Sequence, residues 1–245
     1  MSNTYHLLIL EDSESYHSIP ARGLSGQTYK GAIFWDTEAF ILPFFVLTNP
    51  SFARNLLMYR INTLSGAMKK AQSFNYEGAF YAWESQDDGE EQCSKYNVTD
   101  PVTNQPLRTY FDEKQIHISA DIVLAFDRYI SFANDYSILT DGGAYVIYQC
   151  VKFYMSRATF RNSQYHFDDV MGPDEYHDGG NDNAFTNYMI YQCFNILEKY
   201  YEYMKDLEGI LPLNTYQEFK NLIYLPLPNK DGIIEQFDGY FTKKS

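Results

Sequence analysis

Cysteine is scarce in this chain: there are three, Cys93, Cys150 and Cys193, and no CxxC pair. That excludes a disulfide framework and a cysteine-based zinc site. Histidine is sparse too, and His6, His17, His117, His166 and His177 show no HxxxH or HExxH spacing, so no metal is expected. Basic side chains are outnumbered, 19 against 32 acidic, leaving a net charge of −13. Such a chain repels nucleic acid and anionic membrane surfaces, and neither is expected as a partner. No apolar run reaches the roughly 18 residues that a membrane span needs. The N-terminal MSNTYHLLILEDSESY lacks the basic start and long apolar stretch of a signal peptide. The expected location is therefore the cytoplasm. There is no GxSxG elbow, no cysteine in a recognisable nucleophile setting, and no βαβ alternation.

Aromatic residues, in contrast, are plentiful, at 18% of 245 positions, with 23 Tyr, 18 Phe and 2 Trp. Large rings fill cores, and Tyr and Trp also suit sugar sites, where a ring face covers C–H groups and a polar tip bonds a hydroxyl. Composition alone leaves both uses open.

The opening 36 residues read as turns or short strands, with Gly23, Gly26 and Gly31 spaced through them. Helical patterning starts at Thr37 in TEAFILPFFVLT, where Pro43 must kink or interrupt it. Asn49 then caps a second helix with Pro50 at its first position, running to about Ser73. Helices are also expected at 116–134, 141–160, 182–205 and 215–222. Two long irregular stretches interrupt them, 76–115 and the segment DDVMGPDEYHDGGND, and long loops inside compact domains are usually functional. The expectation is an all-α architecture of paired helices with function in the loops.

The densest chemical cluster is Gly172-Pro173-Asp174-Glu175-Tyr176-His177, followed by Asn181, Asp182 and Asn183. Neighbouring carboxylates in a tight turn suit a general acid. They also suit an acidic turn ahead of a helix, with Asp182 as a cap. Trp35-Asp36 at a loop-to-helix junction could stack on a sugar and bond its hydroxyls, or be a buried Trp beside an N-cap. Trp83-Glu84 in the long loop carries the same pair of readings. His117 opens a helix as a ligand contact or as a hydrogen-bonded structural residue.

Together the segments IPARGLSGQTYKGAIFWDTEAFILPFF, ARNLLMYR, YAWES, QIHISADI and GPDEYH…NDNAFTNYM resemble glycoside hydrolase family 65, which includes maltose, trehalose, kojibiose and nigerose phosphorylases. The resemblance spans nearly the whole chain, in the family's order. It implies an (α/α)6 barrel with catalytic loops at one end, of which about six or seven helices are present here. It implies Glu175 as general acid, Trp35 and Asp36 as glucosyl-binding residues, and Trp83, Glu84 and His117 around the same pocket. The implied reaction is phosphorolysis of an α-glucosidic disaccharide to β-glucose 1-phosphate with inversion, using inorganic phosphate as co-substrate and no cofactor. Phosphate attacks as an anion, so one protein carboxylic acid suffices where a hydrolase needs a second carboxylate to activate water.

Residues 1–245 correspond to the N-terminal part of that barrel. The family's preceding β-sandwich domain is not matched. Its Lys-Gln pair and phosphate loops, which follow a segment like GIIEQFDGYF, are not matched either; Lys114-Gln115 sits elsewhere and is a different feature. The expectation is that phosphorolysis by these residues alone is impaired or absent, and that a homodimer or a complementing chain covers the open helix faces. A glucoamylase-like hydrolase and a non-catalytic sugar-binding fragment are the competing readings.

Overall fold

The computed structural model describes residues 2–11, 17–23 and 28–242. Gly26, part of the turn-rich opening, and the terminal 243–245 lie outside the described residues.

The opening departs from expectation. Ser2–Leu8 forms a helix, α1, because the glycines begin only at Gly23 and nothing in SNTYHLL breaks a turn. Leu7 and Leu10 pack against the edge of the core. From Thr37 the backbone takes a wide π turn, Thr37–Ile41, before the regular helix α2, Leu42–Thr48. Pro43 explains the irregularity, since it has no N–H to give the carbonyl of Ala39. The Arg128 guanidinium donates to that carbonyl instead, at 3.4 Å.

Asn49 caps α3, Pro50–Asn62, accepting from Phe52 N–H at 3.2 Å, and Pro50 takes the first position, as expected. The helix does not continue unbroken to Ser73. It stops at Thr63, whose hydroxyl donates back to the carbonyl of Tyr59 at 2.7 Å, and resumes as α4, Leu64–Ser73.

The long irregular stretch holds a small ribbon, β1 (Val98–Thr99) against β2 (Pro106–Leu107), and a single turn, α5 (Phe111–Lys114). Helix α6, His117–Ala133, ends on Asn134 in the left-handed region. A second π turn, Leu139–Gly143, leads into α7, Ala144–Arg157. The expected helix to residue 160 gives way to a hairpin, β3 (Thr159–Arg161) with β4 (Gln164–His166). Asn162 and Ser163 both have positive φ, 49° and 62°, the requirement of the tight turn that matches strand twist. Helix α8, Ala184–Lys199, and α9, Leu213–Asn221, complete the set.

Among the described residues the regular structure is thus helical apart from two short ribbons, in keeping with the all-α class expected. Among the described residues there are nine α-helical segments rather than six or seven: α1 and the α5 turn are additional, and Thr63 divides one expected helix. Helix α6 lies at the centre, packed against α2, α3, α7 and α8. Its residues 118, 120, 122, 123, 125 and 126 are all buried, so it is apolar nearly all round, as a central helix must be. No helix among the described residues is long and apolar enough to cross a membrane.

Candidate active site

Three packed elements, the π turn leading to α2, then α6 and α8, begin close to sequence motifs singled out above. Trp35-Asp36 precedes the first, His117 opens the second, and the Glu175 turn precedes the third. Trp35 and His117 meet there ring to ring, and Glu175 reaches Gln115, just ahead of His117.

The Trp35-Asp36 corner is held from beneath by a buried ion pair. Arg60 on α3 donates from Nε and one terminal nitrogen to the two oxygens of Glu38, both at 2.8 Å, and also to the carbonyl of Phe34 at 3.1 Å. Arg60 and Glu38 are 1% and 0% exposed. Two-point pairing of this kind fixes both position and orientation. Asp36 itself does not cap the helix through its side chain, which departs from the N-cap reading; its carboxylate is left exposed. Burial of its surroundings raises its pKa from the ordinary Asp value, its own backbone N–H opposing.

Backbone pairing joins this corner to Trp83-Glu84. Ile33 N–H donates to the carbonyl of Ser85 at 2.8 Å and Ser85 N–H returns to Ile33 at 3.0 Å. The rings of Phe34 and Trp83 then meet edge to face at 4.9 Å, and Trp83 stacks on Phe111 at 5.0 Å. Glu91 anchors the loop. Its carboxylate accepts from Trp83 N–H at 2.8 Å, Glu84 N–H at 3.1 Å, Cys93 N–H at 3.1 Å and Lys70 Nζ at 2.7 Å. An acidic stretch that reads as solvated surface thus sends one member inward. Burial and then Glu91 raise the pKa of Glu84, with Lys30 opposing.

His117 is wholly buried. Its Nδ1 lies 2.7 Å from Asp121 Oδ2, one helical turn on, and its ring is wedged edge-on between Trp35, at 5.0 Å, and Phe185, at 5.4 Å. It therefore stands behind the Trp35 indole rather than facing open solvent. Its Nε2 has no hydrogen-bond partner among the described residues. Burial raises the pKa of Asp121, with His117 opposing.

The two carboxylates of the acid turn are sorted by their contacts. Asp174 is committed to its own loop: Oδ1 accepts from Tyr176 N–H at 3.1 Å and Oδ2 from Gln236 Nε2 at 3.0 Å. The Tyr176 N–H chiefly, together with Gln236, holds its carboxyl below the ordinary Asp value. Glu175 instead accepts from Gln115 Nε2 at 2.7 Å, while the side chain stays exposed. Gln115 lies two residues before His117, so a single short segment touches both Glu175 and the Trp35 contact. His177 is enclosed by Phe237, at 5.3 Å, and Tyr240, at 5.5 Å, and a Cβ on Gly180 would come within 2.5 Å of Phe237. That close approach requires glycine.

Asp182 is not the cap of α8. Asn183 caps it, accepting from Thr186 N–H at 3.1 Å. Asp182 sits one residue earlier in the left-handed region, φ 52°, fully buried. It accepts from His166 Nδ1 at 2.7 Å, Asn187 Nδ2 at 3.0 Å, Phe167 N–H at 3.1 Å and Arg161 at 3.1 Å.

The structure thus joins Trp35, Asp36, Trp83, Glu84 and His117 through adjoining contacts and links Glu175 to them through Gln115. Gln115, Glu91 and Arg60 were given no role from the sequence; a Gln, a Glu in an acidic run and an Arg on a helix carry no spacing signal. A cavity of about 660 Å³ lies elsewhere, lined by residues including His6, Leu7, Ile19, Arg22 and Ile41. Among its described lining residues there is no carboxylate. Among the described residues no cluster of His, Cys, Asp and Glu could hold a metal ion.

The fold and this cluster define an α-helical domain that carries its polar and aromatic cluster on loops near helix N-termini. The model of the glycosyl hydrolase family 65 central catalytic domain matches residues 2–245, and the chain belongs to that family. It is 49% identical over 255 aligned positions to a nigerose phosphorylase from Lachnoclostridium phytofermentans, covering 97% of this chain and 34% of that protein. It is 39% identical to a kojibiose phosphorylase from Halothermothrix orenii, covering 98% and 33%. A solved structure described as a kojibiose phosphorylase from the human microbiome superposes with a TM-score of 0.83 at 25% identity, covering 97% of this chain and 35% of that one. The chain spans about a third of the length of the curated relatives it matches.

Proposed function

We propose that these residues form the N-terminal part of an (α/α)6 barrel that phosphorolyses an α-glucosidic disaccharide to β-glucose 1-phosphate, with Glu175 as general acid. In that reading Trp35 offers its face to the glucosyl ring and Asp36 accepts from its hydroxyls. Trp83 and Glu84 border the same pocket, and His117 backs the indole. Phosphate attacks C1 from the face opposite the leaving sugar. The C1–O bond breaks, and the Glu175 proton passes to the departing oxygen. The observation that carries the assignment is the division of labour in the turn. Asp174 is spent on Tyr176 and Gln236, while Glu175 reaches across to the segment that holds His117 against Trp35. A disaccharide of the kojibiose or nigerose type is the substrate proposed.

These 245 residues span about a third of the length of the phosphorylases they match. Phosphorolysis by these residues alone is therefore weak or absent, although a glucoside still binds. The test is glucose 1-phosphate formation from kojibiose and nigerose, with and without phosphate. Where turnover is present, Glu175→Gln removes about 10²–10⁴-fold of it, the usual contribution of a general acid. Hydrolysis that proceeds without phosphate, or full activity of the Gln variant, overturns the reading.

A further inference from the structure

Gln115 has no part in the reading above, yet it is the residue that touches the acid. It is 1% exposed and uncharged. A carboxylate has only acceptors to offer, so the short contact to Glu175 Oε1 fixes which end of the carboxamide faces it. The same Nε2 lies 3.6 Å from Met171 Sδ, which gives its second N–H a weak acceptor.

The backbone around Gln115 is pinned from several sides. The carbonyl of Lys114 accepts from Met171 N–H at 2.9 Å, and the carbonyl of Ile116 accepts from the Tyr154 hydroxyl at 2.7 Å. Lys114 Nζ donates to Asp169 Oδ1 at 2.7 Å and to the carbonyl of Asp178 at 2.8 Å. The start and the end of the acid turn are thus tied to residue 114, and its middle to residue 115. Glu175 is exposed on a turn, and an unrestrained Glu there samples many rotamers. Gln115 restrains one of its oxygens. The other, Oε2, has no hydrogen bond among the described residues.

We propose that Gln115 is a positioning residue for the acid, aiming Glu175 Oε2 at the glycosidic oxygen by holding Oε1; this rests on Glu175 being the acid. The chemistry of an amide suits that task. A Lys or Arg at this place would pair with the carboxylate and favour the ionised form, which has no proton to give. A neutral donor restrains the group in either state.

The experiment compares two substrates. Phosphorolysis of the disaccharide needs a proton on the departing oxygen. With α-glucosyl fluoride, phosphate attacks C1 and the C–F bond breaks, and fluoride leaves without a proton. Gln115→Leu keeps the volume and removes the donor. Its kcat on the disaccharide falls about 100-fold, the scale of a misplacement near 1 Å, with KM within about twofold. Turnover of the fluoride is unchanged within about twofold. Equal losses on both substrates, or none on the disaccharide, overturn the proposal. Glu175→Gln is the control for the underlying reading, since full disaccharide turnover in that variant removes the acid itself.

A second measurement needs no turnover and uses the 245-residue chain. The Gln115 side-chain amide signal in a ¹⁵N–¹H spectrum is identified by its loss in Gln115→Leu. It is protected from solvent exchange and moves in Glu175→Ala. Rapid exchange, or a signal indifferent to residue 175, overturns the proposal.

Discussion

Two histidine–aspartate pairs in this protein have the same core geometry and opposite surroundings. In both, Nδ1 lies 2.7 Å from an aspartate Oδ2, the aspartate is buried, and Nε2 has no partner among the described residues. Around His166–Asp182 everything is locked. Asp182 also receives Asn187, the Phe167 N–H and Arg161, and the His166 ring lies stacked on Tyr224 at 4.8 Å. These contacts join the β3–β4 hairpin, the start of α8 and the 224 segment, and through them fix the end of the acid loop. Around His117–Asp121 the neighbours are ring edges: Trp35 is half-buried and Phe185 is 40% exposed. An identical pair is therefore a scaffold joint in one place and a backing for a candidate sugar platform in the other. Only the third layer of neighbours tells them apart.

The sharpest way to break this comparison is to remove each aspartate. Asp182→Ala leaves an imidazole, a side-chain amide and a backbone N–H buried without their acceptor, and at about 1–3 kcal/mol for each unsatisfied group the total reaches about 3–5 kcal/mol. For a chain of this size that lowers the melting temperature by roughly 10 °C. Asp121→Ala strands only the His117 ring, at about 1–3 kcal/mol. Thermal melts followed by circular dichroism measure both, and equal losses would erase the distinction.

A smaller effect sharpens it from the functional side. Asn in place of His can keep a donor near the Nδ1 position while giving up the rest of the ring. His117→Asn retains the Asp121 contact but withdraws the support behind Trp35. Glucoside affinity falls about tenfold, or 1.4 kcal/mol, while His166→Asn leaves it unchanged. Isothermal titration with a glucoside on both variants decides this. A loss of affinity at position 166 matching that at 117 would mean that neither pair is specific to the sugar platform.

What could be read in advance follows the range of the interaction. The Asn49-Pro50 cap was legible because both partners lie within one turn of chain, and Asn49 does accept from Phe52 N–H. The halt at Thr63 was not, because a threonine bonding back to residue 59 leaves the apolar periodicity intact. The hairpin at 159–166 was not read, because the helical pattern of 141–160 ran into its first strand and the left-handed turn at Asn162 and Ser163 lies just beyond it. Within the candidate site, the Trp, Asp, Glu and His positions stood out by residue type and by resemblance. Their supports did not. Arg60 is 22 positions from Glu38, and Gln115 is 60 from Glu175. Asp182 shows the converse: residue type correctly suggested a helix start, but the capping bond belongs to its neighbour Asn183.

The smallest expected effect is the pH dependence, and there Asp121 and Asp168, a neighbour of the His166–Asp182 pair, should differ in sign. Near His166, burial pushes Asp168 up, but hydrogen bonding and charge from Arg161 outweigh it and leave the carboxyl below its ordinary value of 3.8. A depressed folded value means that the unfolded chain takes up the proton first. The stabilisation from Asp168 is therefore present above about pH 4 and is lost as pH falls through the lowered folded value. Asp121 runs the other way, because burial raises its folded value above 3.8 despite His117. Its contribution is fullest below its unfolded value and is lost as pH rises through the raised folded one. Melting temperatures of Asp168→Asn and Asp121→Asn, each taken relative to the parent from pH 3 to pH 6, should thus diverge. The Asp168 variant loses ground as pH rises, and the Asp121 variant gains it. Parallel curves would mean that the two carboxylates share one electrostatic environment and that the contrast between scaffold joint and platform support does not extend to charge.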